Sequence, residues 1–416
     1  MARPKPAVIF IFITLFLDLF GVGLIVPVLP DLVKEMEGGN VQAASHAVGW
    51  LGALYALMQF VFSPVLGSLS DRFGRRPVIL LALLGSGLDY LLLAWAPTMA
   101  WLYVGRIIAG ITASNFSAAS AYIADITPPE KRAEAFGIIG AAFGLGFVAG
   151  PLVGGWFGDV GLRVPFLVAA GITLLNCLYG LFVLPESVDP KNRRPFHWAS
   201  VHPIRSLMAL RRWPMVVGLA ETHFCIHLAQ NIYPSLWVLY TGTRYGWDSR
   251  HVGASLAIVG ILMAVVQGGL AGRIIGALGE KKGLALGMLA TTVAMAGYGL
   301  APSGWMVYAL LAVGALGGIA GPAAQAMITR EVGADEQGAV QGALNSITSV
   351  AGIAGPLIWT WLFAVGIGAD SQGRFPGLAF IGAAAVTLLG LVMAWRAMGD
   401  RKDPLDKDWG AKSVEQ

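Results

Sequence analysis

Six side chains in this 416-residue chain can exchange a proton or hold a charge from within long apolar runs: Asp18, Asp89, Arg106, Glu221, His223 and His227. A charged side chain at the centre of a bilayer costs at least ~2.5–3.5 kcal/mol on insertion scales, so each is a functional candidate. Asp18 and Asp89 lie far enough into their runs to be roughly 15–18 Å deep at the rise of a helix, and Arg106, entering from the opposite side, roughly 10 Å deep. Two carboxyls and a guanidinium at like depth can share a network whose proton occupancy follows its access to water, because burial and a neighbouring cation act oppositely on a carboxyl. A static ion network is the competing reading, although apolar side chains would usually stabilise a bundle as well. His223, His227 and then Gln230 or Asn231 follow i, i+4, i+7/8 spacing, and their shared face would line an aqueous cavity if turned inward. Glu221 is about 200° round the helix from His223 and faces elsewhere. A histidine can titrate near neutral pH, so either can take part in proton transfer. Interhelical hydrogen bonding without titration is the alternative for both.

The elements that position these groups are membrane helices. The chain is 56% hydrophobic and 12% charged, far more apolar than a soluble domain requires. Crossing a bilayer takes about 20 apolar residues. Twelve such runs lie near 8–30, 47–69, 77–95, 99–124, 135–157, 164–184, 214–240, 252–274, 283–301, 304–328, 338–365 and 375–396. The first is too long for a signal peptide and lacks a cleavage site, so it is expected to remain as a span. Twenty-two lysines and arginines fall on the side of the two termini and five on the other, which predicts both termini in the cytoplasm. Cys177 and Cys225 sit in apolar runs without a CxxC and read as packing residues.

A basic, proline-containing connection divides the runs into two sets of six. The predicted divisions are 1–185, a linker 186–213, 214–398 and a tail 399–416. The linker stretch FHWASVHPIRSLMALRRW suits either the inner membrane surface or a plain solvated connection. A shift of 205 residues places Gly67 on Gly272, Gly74 on Gly279, Gly137 on Gly342 and Gly150-Pro151 on Gly355-Pro356. Two six-span halves starting on the same side are parallel repeats about an axis along the membrane normal, with a site expected near the midplane between them.

The stretch GSLSDRFGRR, residues 67–76, resembles the signature loop of the major facilitator superfamily of transporters, and LYVGRIIAG, 102–110, resembles its fourth-span motif. Gly137, Gly146, Gly150-Pro151 and Gly154-Gly155 are similar to the fifth-span motif of its drug/proton antiporters. LDLFGVGLIVPVLP, AYIADITPPEKRAEAFG and AAQAMITREVGADEQGAVQGALNSITSVAGIAGPL look like its tetracycline-efflux branch. The resemblance implies an all-α membrane protein of twelve transmembrane helices in two pseudo-twofold halves. It places Asp18, Asp89 and Arg106 in the proton and substrate region and makes Asp71, Arg72 and Arg76 an inner-gate latch, with Gly150 and Pro151 in the gating helix. For Asp71, pairing with a loop arginine, with the Lys131-Arg132 loop or with a helix N-terminus are all open. A positive-inside anchor without gating is the plainer reading of the arginines.

The branch normally carries a histidine in span 8 and an aspartate in span 9. Here those places hold Met263 and Thr291, with Gln267 one turn beyond Met263, so span 7 is left to supply a substitute through Glu221 and His227. No GxxxxGK[ST], GxSxG, HExxH or Cys/His cluster occurs, so neither ATP-driven transport nor catalysis is expected. The expected function is export of an amphiphilic, tetracycline-like drug in exchange for protons by a monomer in the bacterial inner membrane. No cofactor, resident metal or nucleic acid is implied, and a divalent cation enters only with a chelating cargo. Gln59, Asn115, Gln230, Asn231, Tyr233, Trp237, Gln267 and Gln325 are the cargo-lining candidates. Export of an endogenous metabolite or siderophore, and a non-transporting receptor, are the alternatives.

Overall fold

The computed structural model describes residues 6–113, 115–128, 131–188, 191, 193, 214–332, 337–368 and 375–399. Most of the linker, including the whole of FHWASVHPIRSLMALRRW, and the tail beyond Gly399 lie outside them. Among the described residues ten helices are long and apolar enough to cross a membrane. Two further crossings are broken helices, which brings the number of spans to twelve.

Span 1 is Pro6–Ile25 with the short helix Leu29–Met36 after it; spans 2 and 3 are Val41–Phe73 and Arg75–Ala94. Span 4 is Met99–Thr112 followed by Asn115–Ile126, and spans 5 and 6 are Arg132–Val160 and Val164–Val183. Span 7 is Pro214–Gln230 followed by Ile232–Tyr245. Span 8 runs from Ser249–Val265 through a π-helical segment into Ala271–Leu278, and span 9 is Glu280–Leu300. Span 10 runs from Gly304–Ala315 through a 3₁₀ turn into Ala320–Glu331; spans 11 and 12 are Gln337–Ile367 and Leu378–Met398.

Local chemistry explains the ends and breaks. Asn40 Oδ1 accepts the Gln42 and Ala43 amides at 3.0 and 3.1 Å, capping span 2. Asp248 caps span 8 by accepting the His251 amide, and that bond holds its carboxyl below the usual carboxylate range. The 2–3 and 8–9 turns each pivot on a glycine at positive φ, Gly74 at 103° and Gly279 at 81°, where any Cβ is strained. Span 7 breaks at Asn231, whose amide Nδ2 donates to His227 O while its own carbonyl accepts from Ser235 Oγ. Carbonyls freed by a break in lipid need such substitutes, so irregular backbone belongs where protein or a wet cavity surrounds it. The breaks and bulges of spans 4, 7, 8 and 10 fall near mid-span, where the repeat predicts the site.

The 205-residue register recurs in side-chain contacts. Arg75 Nε lies 3.1 Å from Asp125 Oδ2 in the first half. In the second half Glu280 and Arg330, their equivalents, lie 3.0 Å apart with the charges exchanged. These clasps stand at what we term the basic end of the bundle, opposite the far end.

At the far end the halves touch along two helix pairs, span 5 with span 8 and span 2 with span 11. A Cβ on Gly155 would strike the Ser249 carbonyl and one on Gly253 the Pro151 carbonyl; in the second pair Gly49 faces Thr360 and Gly52 faces Pro356. Ser45 Oγ donates to Thr360 O at 2.8 Å, and Arg250 pairs with Asp159 across the halves. Pro151 and Pro356 are repeat equivalents, so each half brings its Gly-Pro helix to the seal. Toward the basic end the same helices carry Gly67, Gly137, Gly140, Gly144 and Gly272, where an added Cβ would meet nothing. The described conformer is sealed at the far end and parted at the basic end.

Candidate functional site

The first half collects the acid–base groups. Asp89 is 1% exposed, and neither carboxyl oxygen has a hydrogen-bond partner. Arg106 Nη2 lies 3.9 Å from Asp89 Oδ2, an ion contact longer than a hydrogen bond, and the buried Arg106 Nε is also unpartnered. The guanidinium carbon sits 5.8 Å from the centre of the Tyr55 ring, a cation–π arrangement. Tyr55 and Tyr90 both feel the charges of Asp18, Asp89 and Arg106, so these three groups share one neighbourhood. Gly105 is what admits Asp89, since a Cβ there would fall 2.8 Å from Asp89 Oδ1.

The second half brings His223 and His227 together on one face of span 7. Their rings are 4.2 Å apart between centroids, and His223 Nε2 is 2.9 Å from Thr348 Oγ1 of span 11. Glu221 does not join them. It is exposed on another face, electrostatically coupled to Cys225, which packs against Gly390 of span 12. The expected substitute carboxyl is therefore turned away from the histidines by the helical rotation that aligns them.

A ladder of amides rises toward the pair from the basic end. Gln325 Nε2 donates to Gln341 Oε1 at 2.9 Å, and Gln341 Nε2 donates to Asn345 Oδ1 at 3.3 Å. Gln325 and Gln341 also border a cavity of about 280 Å³ between spans 10 and 11. Gln341, Asn345 and Thr348 were missed by sequence reasoning. Their spacing of four and three within an apolar run was the available signal. Met263 and Gln267 converge on Gly318, where a Cβ would lie 3.2 Å from Met263 Sδ and 3.3 Å from Gln267 Nε2; Thr291 faces Gly317. The expected ionisable pair of spans 8 and 9 is thus replaced by a close-packed contact on the 3₁₀ turn of span 10.

Other cargo candidates separate. Gln59 and Gln230 are half-buried, and Asn115 opens the second segment of span 4 with its side chain outside the description. Asn231 is committed to the span 7 break. Trp237 is a correction: it is 1% exposed, its Nε1 donates to Ser255 Oγ at 2.9 Å, and its ring packs edge-on to Tyr298, Phe380 and Trp247. It belongs to an aromatic core, which Tyr233 joins at its edge, 5.7 Å from Trp237.

The loop at residues 67–76 is also rearranged relative to expectation. Arg75, not Arg72 or Arg76, is its hub. Arg75 Nη1 meets Asp71 Oδ1 and donates to Ser70 Oγ, both at 2.6 Å, and its Nε donates to Asp125. Glu186 accepts the Arg75 and Arg76 amides at the start of span 3, and Arg76 Nη2 donates to Leu181 O. Arg72 is exposed over the Phe73 ring. These partners lie in the first half or, for Glu186, at the first residue of the linker, so among the described residues the loop makes no bridge to the second half. At the seal, Pro151 faces Gly253 of the second half, whereas Gly150 packs on Gly23 of span 1, inside its own half.

Three comparisons bear on this arrangement. The family model described as Major Facilitator Superfamily matches residues 11–356 and 220–415. The class C tetracycline resistance protein of Escherichia coli is 43% identical over 387 residues, covering 93% of this chain and 96% of that protein. The class B protein of Escherichia coli is 40% identical over 347 residues, with 83% and 86% covered. The human organic anion transporter MFSD10 has a similar structure, with a TM-score of 0.69 at 24% identity, covering 94% of this chain and all of the other.

Proposed function

This chain belongs to the major facilitator superfamily, and from that premise we propose that it exports a tetracycline-like amphiphile in exchange for protons, by alternating access. The observation that carries the reading is Asp89, a fully buried carboxyl without a hydrogen bond, 3.9 Å from an incompletely partnered arginine. A proton reaching Asp89 releases Arg106, and its departure draws the guanidinium back. Because the two groups sit on spans 3 and 4, each exchange changes how those helices pack. Asp18 lies in reach of the same field, and His223 and His227 are the titratable groups that the second half contributes.

With the basic end in the cytoplasm, as the positive-inside rule requires, both termini lie inside and the described conformer faces inward. The protein acts as a monomer in the inner membrane. Protons are the coupling ion, and a divalent cation travels only as part of a chelated cargo. Gln325 and Gln341 on the cavity wall, with Asn345 hydrogen-bonded to Gln341, then offer donors and acceptors to a polar cargo edge.

Everted vesicles provide the test. An imposed gradient, acid inside, is expected to drive tetracycline uptake that a protonophore abolishes. Flux indifferent to the gradient overturns proton coupling. Binding without flux across a drug panel favours the receptor reading.

The Arg75 hub carries its own expectation. Arg75→Gln strips Asp71, Asp125 and Ser70 of their shared partner and is expected to lower drug resistance severely. Arg72→Gln removes only an exposed side chain and should stay within about 0.5 kcal/mol in stability and near the parent in resistance. Susceptibility of a pump-deficient host, read beside membrane-protein yield, checks both.

A further inference from the structure

The second half has a groove on its lipid-facing side, away from the cavity. Spans 9 and 12 part to leave about 470 Å³ lined by Leu286, Leu289, Leu391, Val392, Trp395 and Arg396. Arg396 is two residues from the end of span 12, and Leu289 nine residues from the start of span 9. The groove therefore runs from the basic-end interface to roughly 14 Å depth, the region of a headgroup and the upper part of an acyl chain.

Two cations guard its mouth. Arg396 forms part of the wall, and Lys282, four residues before Leu286, shares the groove face of span 9. Both are exposed, and among the described residues no ion pair involves either. Nearby Arg330 is already engaged by Glu280. In the first half Arg75 is occupied by Asp71 and Asp125, and Arg76 by Leu181 O. Lys282, near the start of span 9, and Arg396, near the end of span 12, thus stand on the two helices that border the apolar trough, toward its basic-end edge.

We propose that an anionic phospholipid of the basic-end leaflet occupies this groove, its phosphate between Lys282 and Arg396 and an acyl chain along Leu286, Leu289 and Leu391. Any lipid can coat an apolar helix face, but a pair of uncompensated cations at the headgroup level selects net negative charge. Trp395 at the rim suits the interface, where aromatic rings anchor. The site is independent of the proposed transport cycle.

Native mass spectrometry of the purified full-length protein, with dioleoylphosphatidylglycerol and dioleoylphosphatidylcholine as competing probes, tests it. One retained phosphatidylglycerol, favoured about tenfold or more over phosphatidylcholine, is expected from two headgroup-level cations. Lys282→Gln with Arg396→Gln should erase that preference and Lys282→Arg with Arg396→Lys should keep it. Leu289→Trp should block retention by filling the trough with the charges intact. Equal retention of the two lipids by the parent protein, or an undiminished preference in the double glutamine variant, overturns the proposal.

Discussion

Asp89→Asn is expected to abolish gradient-driven uptake while the protein still folds, at a modest cost in stability. An asparagine cannot bind and release a proton, so the exchange with Arg106 is lost, and uptake should fall by an order of magnitude or more if that exchange drives the cycle. The variant gives up no hydrogen bond of the carboxyl, but Arg106 keeps its charge beside a neutral amide. Removing one partner of a buried ion pair costs about 3–5 kcal/mol, and the long 3.9 Å contact and the Tyr55 ring beneath the guanidinium place the expected loss at or below the lower end of that range. A purely static network predicts a destabilised protein that still couples. Thermal unfolding in detergent and uptake in everted vesicles, measured on the same preparation, separate the two.

The second large effect lies at the far-end seal. Gly154 and Gly155 are neighbours in sequence but face different partners: Gly154 meets the Leu24 backbone of span 1, and Gly155 the Ser249 carbonyl of span 8. Gly154→Leu overpacks a contact inside one half and should reduce the yield of folded protein. Gly155→Leu overpacks a contact between halves that alternating access must break and remake. A cost of about 1–3 kcal/mol on the sealed conformer alone shifts a two-state equilibrium by about 5- to 150-fold. Normal yield, lost transport and raised far-end labelling of a cysteine placed at Asp159 are expected for Gly155→Leu. Wild-type transport by that variant would show that the halves do not close on this contact during turnover.

Hydropathy revealed the spans because lipid imposes length and apolarity on each, and the glycine register revealed the repeat. The breaks in spans 4 and 7 were not visible, since a broken helix and a straight one are equally apolar; Asn231 gave no warning that its amide would close its own break. The aromatic residues of span 7 misled for a related reason. Composition cannot separate a ring on a cavity wall from one in a core, and Trp237 proved to be core. Depth along a run brought out Asp89 and Arg106, because each residue advances a helix by a fixed rise. Asp159 and Arg250 escaped notice because they sit at helix ends, where charges are ordinary, and only tertiary packing joins them.

The exchanged charges of the two clasps affect how the chain assembles. Twelve oily helices offer little hydrophobic preference for one neighbour over another, so a duplicated architecture risks docking a helix against its twin's mate. Span 3 mistakenly set beside span 10 would confront Arg75 with Arg330, and span 9 beside span 4 would confront Glu280 with Asp125. Repulsion penalises both errors, while each correct match is rewarded. Reversed polarity thus works as an address label, telling each copy of an ancient duplication which helices are its own.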